Sequence, residues 1–255
     1  MQWTMRVFAL SDIHVDYEQN RRWLANLSTE DYSADILVLA GDVSDSLQRL
    51  EWAIKTLVLR FKKVLFVPGN HDLWVIRDGT AKSSFQKFTE VCSVARDGGA
   101  LTDTLHHDEL SIVPILGWYD YSFGPPTERL REIWMDYYAC NWQMMTNESV
   151  AAHFAALNPP ETSSAGTVIT FSHFLPRIDV MPRNMPADSR LLFPVLGSAL
   201  IEAQLRTVGS SIHVYGHSHV NREVRINGVR YVNNAFGYPG ETWIASKTML
   251  SIYEA

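Results

Sequence analysis

Aspartate, asparagine and histidine side chains recur in five short motifs along this chain of 255 residues. The motifs are Asp12-Ile-His14, Gly41-Asp42-Val-Ser-Asp45, Gly69-Asn70-His71-Asp72, the single His173 and Gly216-His217-Ser-His219. Carboxylate and amide oxygens together with imidazole nitrogens suit Mn²⁺, iron or Zn²⁺, and the set lacks the thiolates of a structural zinc site. The motifs therefore indicate a metal site with mixed oxygen and nitrogen ligands.

The number of donors indicates more than one metal ion. Apart from His71, Asp45 and Asp72, the motifs offer two carboxylates, four imidazoles and one amide oxygen. A single ion uses about four to six donors, so seven protein ligands exceed what one ion needs. Two ions that share a bridging carboxylate would use all of them. Such a pair, about 3.5–4 Å apart, stabilises both the attacking and the leaving oxygen of a displacement at phosphorus.

Most of these motifs directly follow a short apolar run that predicts a strand. Near-continuous apolar runs of this length are typical of strands buried on both faces. The predicted strands are Met5–Leu10, Asp35–Ala40, Val64–Val67, Ser111–Leu116, Val168–Phe171 and Ile212–Tyr215. Ligands of open α/β sheets bind beyond the carboxyl ends of the strands, so we expect the motifs to meet at one edge.

Helical and hairpin patterns complete the predicted fold. The stripe of apolar residues over Ser46–Lys62 predicts an amphipathic helix, with Ser44 or Asp45 as its N-cap. Weaker helices are predicted over Asn20–Leu27, Ser83–Ala95, Asn147–Leu157 and Ser198–Thr207, and Asn227-Gly228 predicts a hairpin turn. Two sheets between helical layers follow from this order of elements. Because no linker composition interrupts the chain, we expect one domain over residues 1–255, with loops at 158–166 and 182–188.

Composition and charge narrow the class of protein. A net charge of −6 argues against a basic face for nucleic acid or for an acidic membrane. The two cysteines, Cys92 and Cys140, suit a reducing compartment better than a disulfide scaffold. No signal peptide and no apolar run of membrane-spanning length is apparent, so we expect a cytoplasmic protein.

In their order and spacing, the five motifs resemble those of the calcineurin-like metallophosphoesterase family over residues 12–219. The resemblance implies an α/β fold, namely a four-layer α/β/β/α sandwich with mixed sheets. It also implies a binuclear phosphoesterase with two divalent or trivalent metal ions, whose identity among Mn, Fe and Zn stays open. The segment Phe171-Ser-His-Phe-Leu-Pro176 further resembles an uncharacterised branch known from cyanobacteria and plants.

The same resemblance implies a role for each motif residue. One ion would be held by Asp12, His14, Asp42 and His219, and the other by Asp42, Asn70, His173 and His217. Asp42 would thus bridge the ions, and a hydroxide between them would attack phosphorus. His71 would stay off the metals and donate a proton to the leaving oxygen, while Asp45 would orient its imidazole. Asp72 is expected to support the loop.

Several functions fit the resemblance. Likeness to the small single-domain members favours a phosphodiesterase that acts on a small-molecule phosphoester. The alternatives are a phosphomonoesterase for a small metabolite and a non-catalytic protein-binding scaffold, which the complete ligand set disfavours. A protein serine/threonine phosphatase is disfavoured because Ser46 and Asp72 stand where those enzymes carry arginine and glutamate. The oligomeric state stays open.

Two further segments could contact substrate. The stretch 118–142 is rich in aromatic residues, which either form a wall for an aromatic or nucleoside leaving group or pack in the core or at a subunit contact. Arg177, Arg183 and Arg190 follow His173, and a guanidinium among them could bind a substrate phosphate. The alternative is that all three are solvated loop arginines.

Overall fold

The computed structural model describes residues 5–78, 81–158 and 166–255. Its strands are Arg6–Leu10 (β1), Ile36–Ala40 (β2), Lys63–Val67 (β3), Leu105–His107 (β4), Leu110–Pro114 (β5), Thr167–Phe171 (β6), Ile212–Tyr215 (β7), Arg222–Ile226 (β8), Val229–Asn233 (β9) and Leu250–Glu254 (β10). Its helices are Glu18–Ala25 (α1), Leu47–Val58 (α2), Ser84–Asp97 (α3), Glu128–Ile133 (α4), Asp136–Ala139 (α5), Asn147–Leu157 (α6), Ala187–Arg190 (α7) and Ala199–Val208 (α8). Short 3₁₀ turns cover His71–Leu73, Ile178–Val180 and Phe193–Val195.

The strands form two mixed sheets. The first sheet has the order β10-β1-β2-β3, in which β10 is antiparallel to three parallel strands. The second has the order β4-β5-β6-β7-β9-β8, with four central parallel strands and an antiparallel strand at each edge. In both sheets, the parallel strands end on the same side, which brings the motifs of the sequence together.

The core confirms the four-layer α/β/β/α arrangement with mixed sheets. Alternate residues of β1 point to opposite faces, so that Val7 and Ala9 pack against the second sheet while Phe8 and Leu10 face α2 and α3. The outer face of the second sheet packs against α6 and α8. Both sheets are thus buried on both faces, which explains why their central strands are continuous apolar runs.

Most of the predicted elements are present, with small differences at their ends. The predicted hairpin is confirmed, and its turn residues Asn227 and Gly228 both have a positive φ, as an Asn-Gly turn requires. Helix α2 ends at Val58, before the predicted Lys62, because the chain turns there into β3. The predicted cap at Ser44 or Asp45 is wrong: Ser46 is the N-cap, and the Asp45 carboxylate pairs with Arg77 instead.

Four elements lack a clear pattern in the sequence. Strand β4 has three residues, β10 pairs with a strand some 240 residues earlier, and α4 and α5 are short helices within the aromatic stretch. The loop expected at 158–166 falls almost entirely outside the described residues. Within the described ranges, no helix is both long and apolar enough to cross a membrane.

Candidate metal centre

The ligand residues expected from the sequence converge beyond the carboxyl ends of β1, β2, β3, β6 and β7. Two sets of three side chains have potential ligand atoms within 4.8 Å of one another, namely Asp12, His14 and His219, and Asp42, His173 and His217. A third set, formed by His14, Asp42 and His71, shares His14 with the first set and Asp42 with the second. The structure therefore brings donors from both sheets into one buried cluster.

The backbone at this cluster adopts conformations that ordinary residues avoid. Positive φ angles of 40° to 66° occur at five of the expected ligands, Asp12, His14, Asp42, His217 and His219. Each such residue costs about 1–3 kcal/mol, and strain of this kind concentrates at functional sites. Glycine is required at position 69, because a Cβ there would lie 2.1 Å from Asp42 Oδ1. The glycines of the motifs thus allow the loops to pack closely around the ligands.

The first half of the cluster is centred on His219. Its Nε2 lies 3.3 Å from Asp12 Oδ1 and 3.2 Å from His14 Nε2. His14 Nε2 in turn lies 3.9 Å from Asp42 Oδ2. Two backbone contacts from the His217 amide to Asp12, at 3.0 and 3.1 Å, keep this carboxylate in place.

The second half is centred on His173. Its Nε2 lies 3.0 Å from Asn70 Oδ1, 3.1 Å from His217 Nδ1 and 3.5 Å from Asp42 Oδ1. Asp42 therefore turns Oδ2 toward the first half of the cluster and Oδ1 toward the second. This is the position that a bridging carboxylate requires.

Hydrogen bonds on the outer side of the ligands fix which atoms face the cluster. His173 Nδ1 donates to the Ala40 carbonyl at 2.9 Å, and His217 Nε2 donates to the Val195 carbonyl at 3.1 Å. Asn70 Nδ2 donates to Asp136 Oδ1 at 2.8 Å. In the neutral rings, the remaining nitrogens, His173 Nε2 and His217 Nδ1, carry lone pairs, and His173 Nε2 faces the Asn70 carbonyl oxygen. Such partners typically orient metal ligands.

The chemistry of this donor set fits a bound cation. His173 Nε2 lies 3.0 Å from Asn70 Oδ1 and 3.1 Å from His217 Nδ1, and all three atoms carry lone pairs with no proton between them. Burial lowers the pKa of His173 and of His217, so both rings are neutral near pH 7. Burial, together with nearby Asp12 and Asp72, raises the pKa of Asp42. A cation would relieve both the facing lone pairs and the crowded carboxylates.

The cluster also contains groups that the sequence did not reveal. Glu241 Oε2 lies 2.7 Å from His219 Nδ1, and Asp136 accepts from Asn70 and from the indoles of Trp74 and Trp134 at 2.7 and 2.9 Å. Burial raises the pKa of Asp136 to about 6. Neither acid belongs to a motif, and both reach the cluster through long-range contacts.

His71 lies at the rim of the cluster rather than within its two halves. Its ring stacks on Trp74 with centroids 3.7 Å apart, and its Nε2 lies 3.4 Å from the Tyr238 hydroxyl. Burial, together with the nearby His173, lowers the pKa of His71 to about 3, so the ring is neutral near pH 7 in this structure. In the described part of the chain, Asp45 makes no hydrogen bond to His71, and its side chain pairs with Arg77 at 2.6 Å. The orienting role expected for Asp45 stays a prediction.

A pocket of about 290 Å³ opens beside the cluster. The aromatic stretch divides between this pocket and the core: Trp134 lines the pocket, whereas Trp118 and Tyr119 are fully buried. The three arginines singled out in the sequence do not line this pocket, and Arg177 is held by Asp179 and Glu202.

Asp72 supports the loops as expected, because it accepts from the backbone amides of residues 42, 43, 44 and 69.

Glu241→Ala should weaken metal binding by about 10- to 100-fold, because His219 would lose the partner that orients its ring. Glu241→Gln keeps a hydrogen-bond acceptor and should lose much less. Titration calorimetry with Mn²⁺ measures both, with the exposed Glu30→Ala as the matched control. Equal affinities for wild type and Glu241→Ala would contradict this role.

Metal binding should release a proton from His219. Although burial opposes the charged ring, Asp12 and Glu241 raise the pKa of His219 to about 9 in the metal-free protein. A metal ion binds only the neutral ring. Between pH 7 and 9, the apparent affinity of the protein for the metal should therefore rise by about tenfold per pH unit. Calorimetry in buffers of different ionisation enthalpy would detect this proton, and pH-independent binding would contradict the expectation.

Comparisons with known proteins agree with this geometry. A family model described as calcineurin-like phosphoesterase matches residues 5–221. A protein named [acyl-carrier-protein] phosphodiesterase PptH, from Mycobacterium tuberculosis, is 26% identical over an alignment of 264 positions, gaps included. The alignment covers 92% of this chain and 78% of that protein. The crystal structure of phosphopantetheinyl hydrolase (PptH) from the same organism superposes with a TM-score of 0.76 at 21% identity, covering 98% of this chain and 96% of that one. Because the family model spans most of the sequence, the chain belongs to the calcineurin-like phosphoesterase family.

Proposed function

We propose that this protein is a metal-dependent phosphodiesterase with two metal ions. One ion would be held by Asp12, His14, Asp42 and His219, and the other by Asp42, Asn70, His173 and His217. The observation that supports this most directly is the division of the Asp42 oxygens between the two halves of the cluster. A pair of metal ions would supply Lewis acidity toward the phosphoryl oxygens and would lower the pKa of water.

The residues of the chain orient the reaction. The outer hydrogen bonds of His173, His217 and Asn70 hold their ligand atoms toward the cluster, which preserves its geometry before substrate binds. His71 lies at the rim, where it can reach a leaving oxygen. Burial keeps its imidazole neutral near pH 7, so the negative charge of a bound phosphate must raise its pKa before it can donate a full proton.

The pocket beside the cluster favours a diester over a monoester. It is lined by Trp74, Ile133, Trp134 and Leu192, and none of its described lining residues is a lysine or arginine. A phosphomonoester carries up to two negative charges and one organic group, whereas a diester carries one negative charge and two organic groups. Apolar walls without guanidinium or ammonium groups suit the organic group of a diester.

The relative's name suggests the kind of molecule that carries this diester. Since a protein similar over nearly the whole chain is named an acyl-carrier-protein phosphodiesterase, we propose a protein-borne phosphodiester as the substrate class. This replaces the small molecule that the sequence favoured. A cytoplasmic location suits this substrate and stays part of the proposal.

Hydrolysis by the Mn²⁺-loaded protein tests this function. We expect turnover of bis-p-nitrophenyl phosphate and release of phosphopantetheine from a holo-acyl carrier protein, both abolished by chelation and restored by metal. p-Nitrophenyl phosphate, a monoester, should be hydrolysed more slowly. Faster turnover of the monoester would support the monoesterase alternative, and metal binding without any hydrolysis would support the scaffold.

A further inference from the structure

Four arginines line a second cavity, of about 470 Å³, near the pocket of the metal cluster. They are Arg183, Arg190, Arg222 and Arg225, and we call this cavity the arginine cavity. Asp179 is the one acidic residue among its described lining residues. Such a concentration of positive charge stands out in a chain whose net charge is −6.

These four arginines have few opposite charges around them within the described residues, where Arg222 acts on Asp179 and Arg225 on Glu223 only at longer range. None of the four forms an ion pair there, and Asp179 is already held by Arg177 through two contacts of 2.5 and 2.9 Å. Arg190 donates to the backbone carbonyls of Met185 and Arg183, which carry no full charge. Three of the arginines are exposed and Arg222 is half-buried. Their guanidinium groups are therefore available to an external anion.

The chain segment 190–196 separates the arginine cavity from the metal cluster. Arg190 and Phe193 line the arginine cavity, whereas Leu192 and Leu196 line the pocket beside the cluster. In the same segment, the Val195 carbonyl accepts the hydrogen bond of the ligand His217. A molecule bound at the arginines would consequently lie next to the mouth of the catalytic pocket.

We propose that the arginine cavity docks an acidic segment of the protein that carries the phosphodiester, an inference that rests on the proposed function. Arg222 and Arg225 belong to β8, Arg183 to the loop before α7 and Arg190 to the last residue of α7, so the arginines form a surface broader than one phosphate group. Guanidinium forks match carboxylates, and several charge pairs at an interface mainly increase the association rate and the specificity. Apolar Phe193 and Ile226 line the same cavity and add contact area.

Two synthetic peptides test this docking. Each contains a serine esterified as a p-nitrophenyl phosphodiester, flanked in one peptide by aspartate and glutamate and in the other by asparagine and glutamine. For the wild-type protein with Mn²⁺, we expect about a three- to tenfold lower KM for the acidic peptide at equal kcat, and a difference that shrinks as salt is raised from 50 to 300 mM.

The double variant Arg183→Glu/Arg190→Glu should remove this preference. Its kcat on bis-p-nitrophenyl phosphate should stay unchanged, because neither residue contacts the metal cluster. The matched control is Lys62→Glu/Lys63→Glu, which changes the net charge by the same amount. These exposed lysines lie at the start of β3, at the end away from the cluster, and this variant should keep the preference for the acidic peptide.

Equal KM values for the two peptides in the wild type would overturn the docking proposal, and so would a preference that persists in the arginine variant. Failure of the metal-loaded protein to hydrolyse any diester, bis-p-nitrophenyl phosphate included, would instead overturn the proposed function.

Discussion

Asp42→Asn should reduce kcat by ~10³-fold or more and should lower the occupancy of both metal ions. The reason is the position of Asp42, which turns one carboxylate oxygen toward each half of the cluster. Asparagine replaces one oxygen by an amide nitrogen that cannot serve as a ligand and removes the negative charge. Lewis-acid stabilisation amounts to several kcal/mol, or about 10³-fold in rate. Metal content by mass spectrometry and steady-state kinetics measure the two effects.

The exposed Asp31→Asn, which makes the same chemical change far from the motifs, is the matched control. It should retain both ions and full activity. Loss of a single ion from Asp42→Asn, with the other still bound at wild-type affinity, would show that Asp42 does not bridge. Retention of both ions would contradict its role as a ligand altogether.

His71→Ala should affect poor leaving groups far more than good ones. An alkoxide must be protonated as it leaves, and a positioned general acid contributes about 10²–10⁴-fold, whereas p-nitrophenolate leaves without that help. We therefore expect a loss of this size on methyl or alkyl diesters and less than about tenfold on bis-p-nitrophenyl phosphate. Metal content should stay unchanged, because His71 lies at the rim of the cluster.

His107→Ala, in the edge strand β4, provides a control for loss of an imidazole remote from the metals. Equal losses on both kinds of ester by His71→Ala would remove the acid role and would indicate a metal ligand or a structural residue. Asp45→Asn adds a further comparison. If Asp45 orients His71 during turnover, its substitution should show the same dependence on the leaving group, although in this structure Asp45 contacts Arg77.

The sequence was sufficient to predict the frame and the convergence of the expected ligands, because both depend on local patterns. An apolar run in the sequence predicts a buried strand, and the polar residues of the loop after that strand are adjacent to the run in the sequence. Asp12 after β1 and His173 after β6 are examples. Since parallel strands of a sheet end together, the convergence of these residues follows from the predicted topology.

The remaining parts of the site depend on contacts between distant segments. Asp136 reaches Asn70 across 66 residues and Glu241 reaches His219 across 22, and neither has a neighbouring motif that marks it. Composition alone also could not show which residues of the aromatic stretch pack in the core and which line the pocket. Trp118 in the core and Trp134 at the pocket differ only in their tertiary surroundings. The single domain over residues 1–255 and the likeness to the cyanobacterial and plant branch stay predictions.

Anomalous diffraction from crystals of the Mn²⁺-loaded protein would locate the metal ions themselves. We expect two peaks about 3.5–4 Å apart, with the Asp42 carboxylate between them and three further protein ligands around each. A single peak, or peaks in separate pockets with these side chains turned away, would contradict the binuclear centre on which the proposed hydrolysis depends.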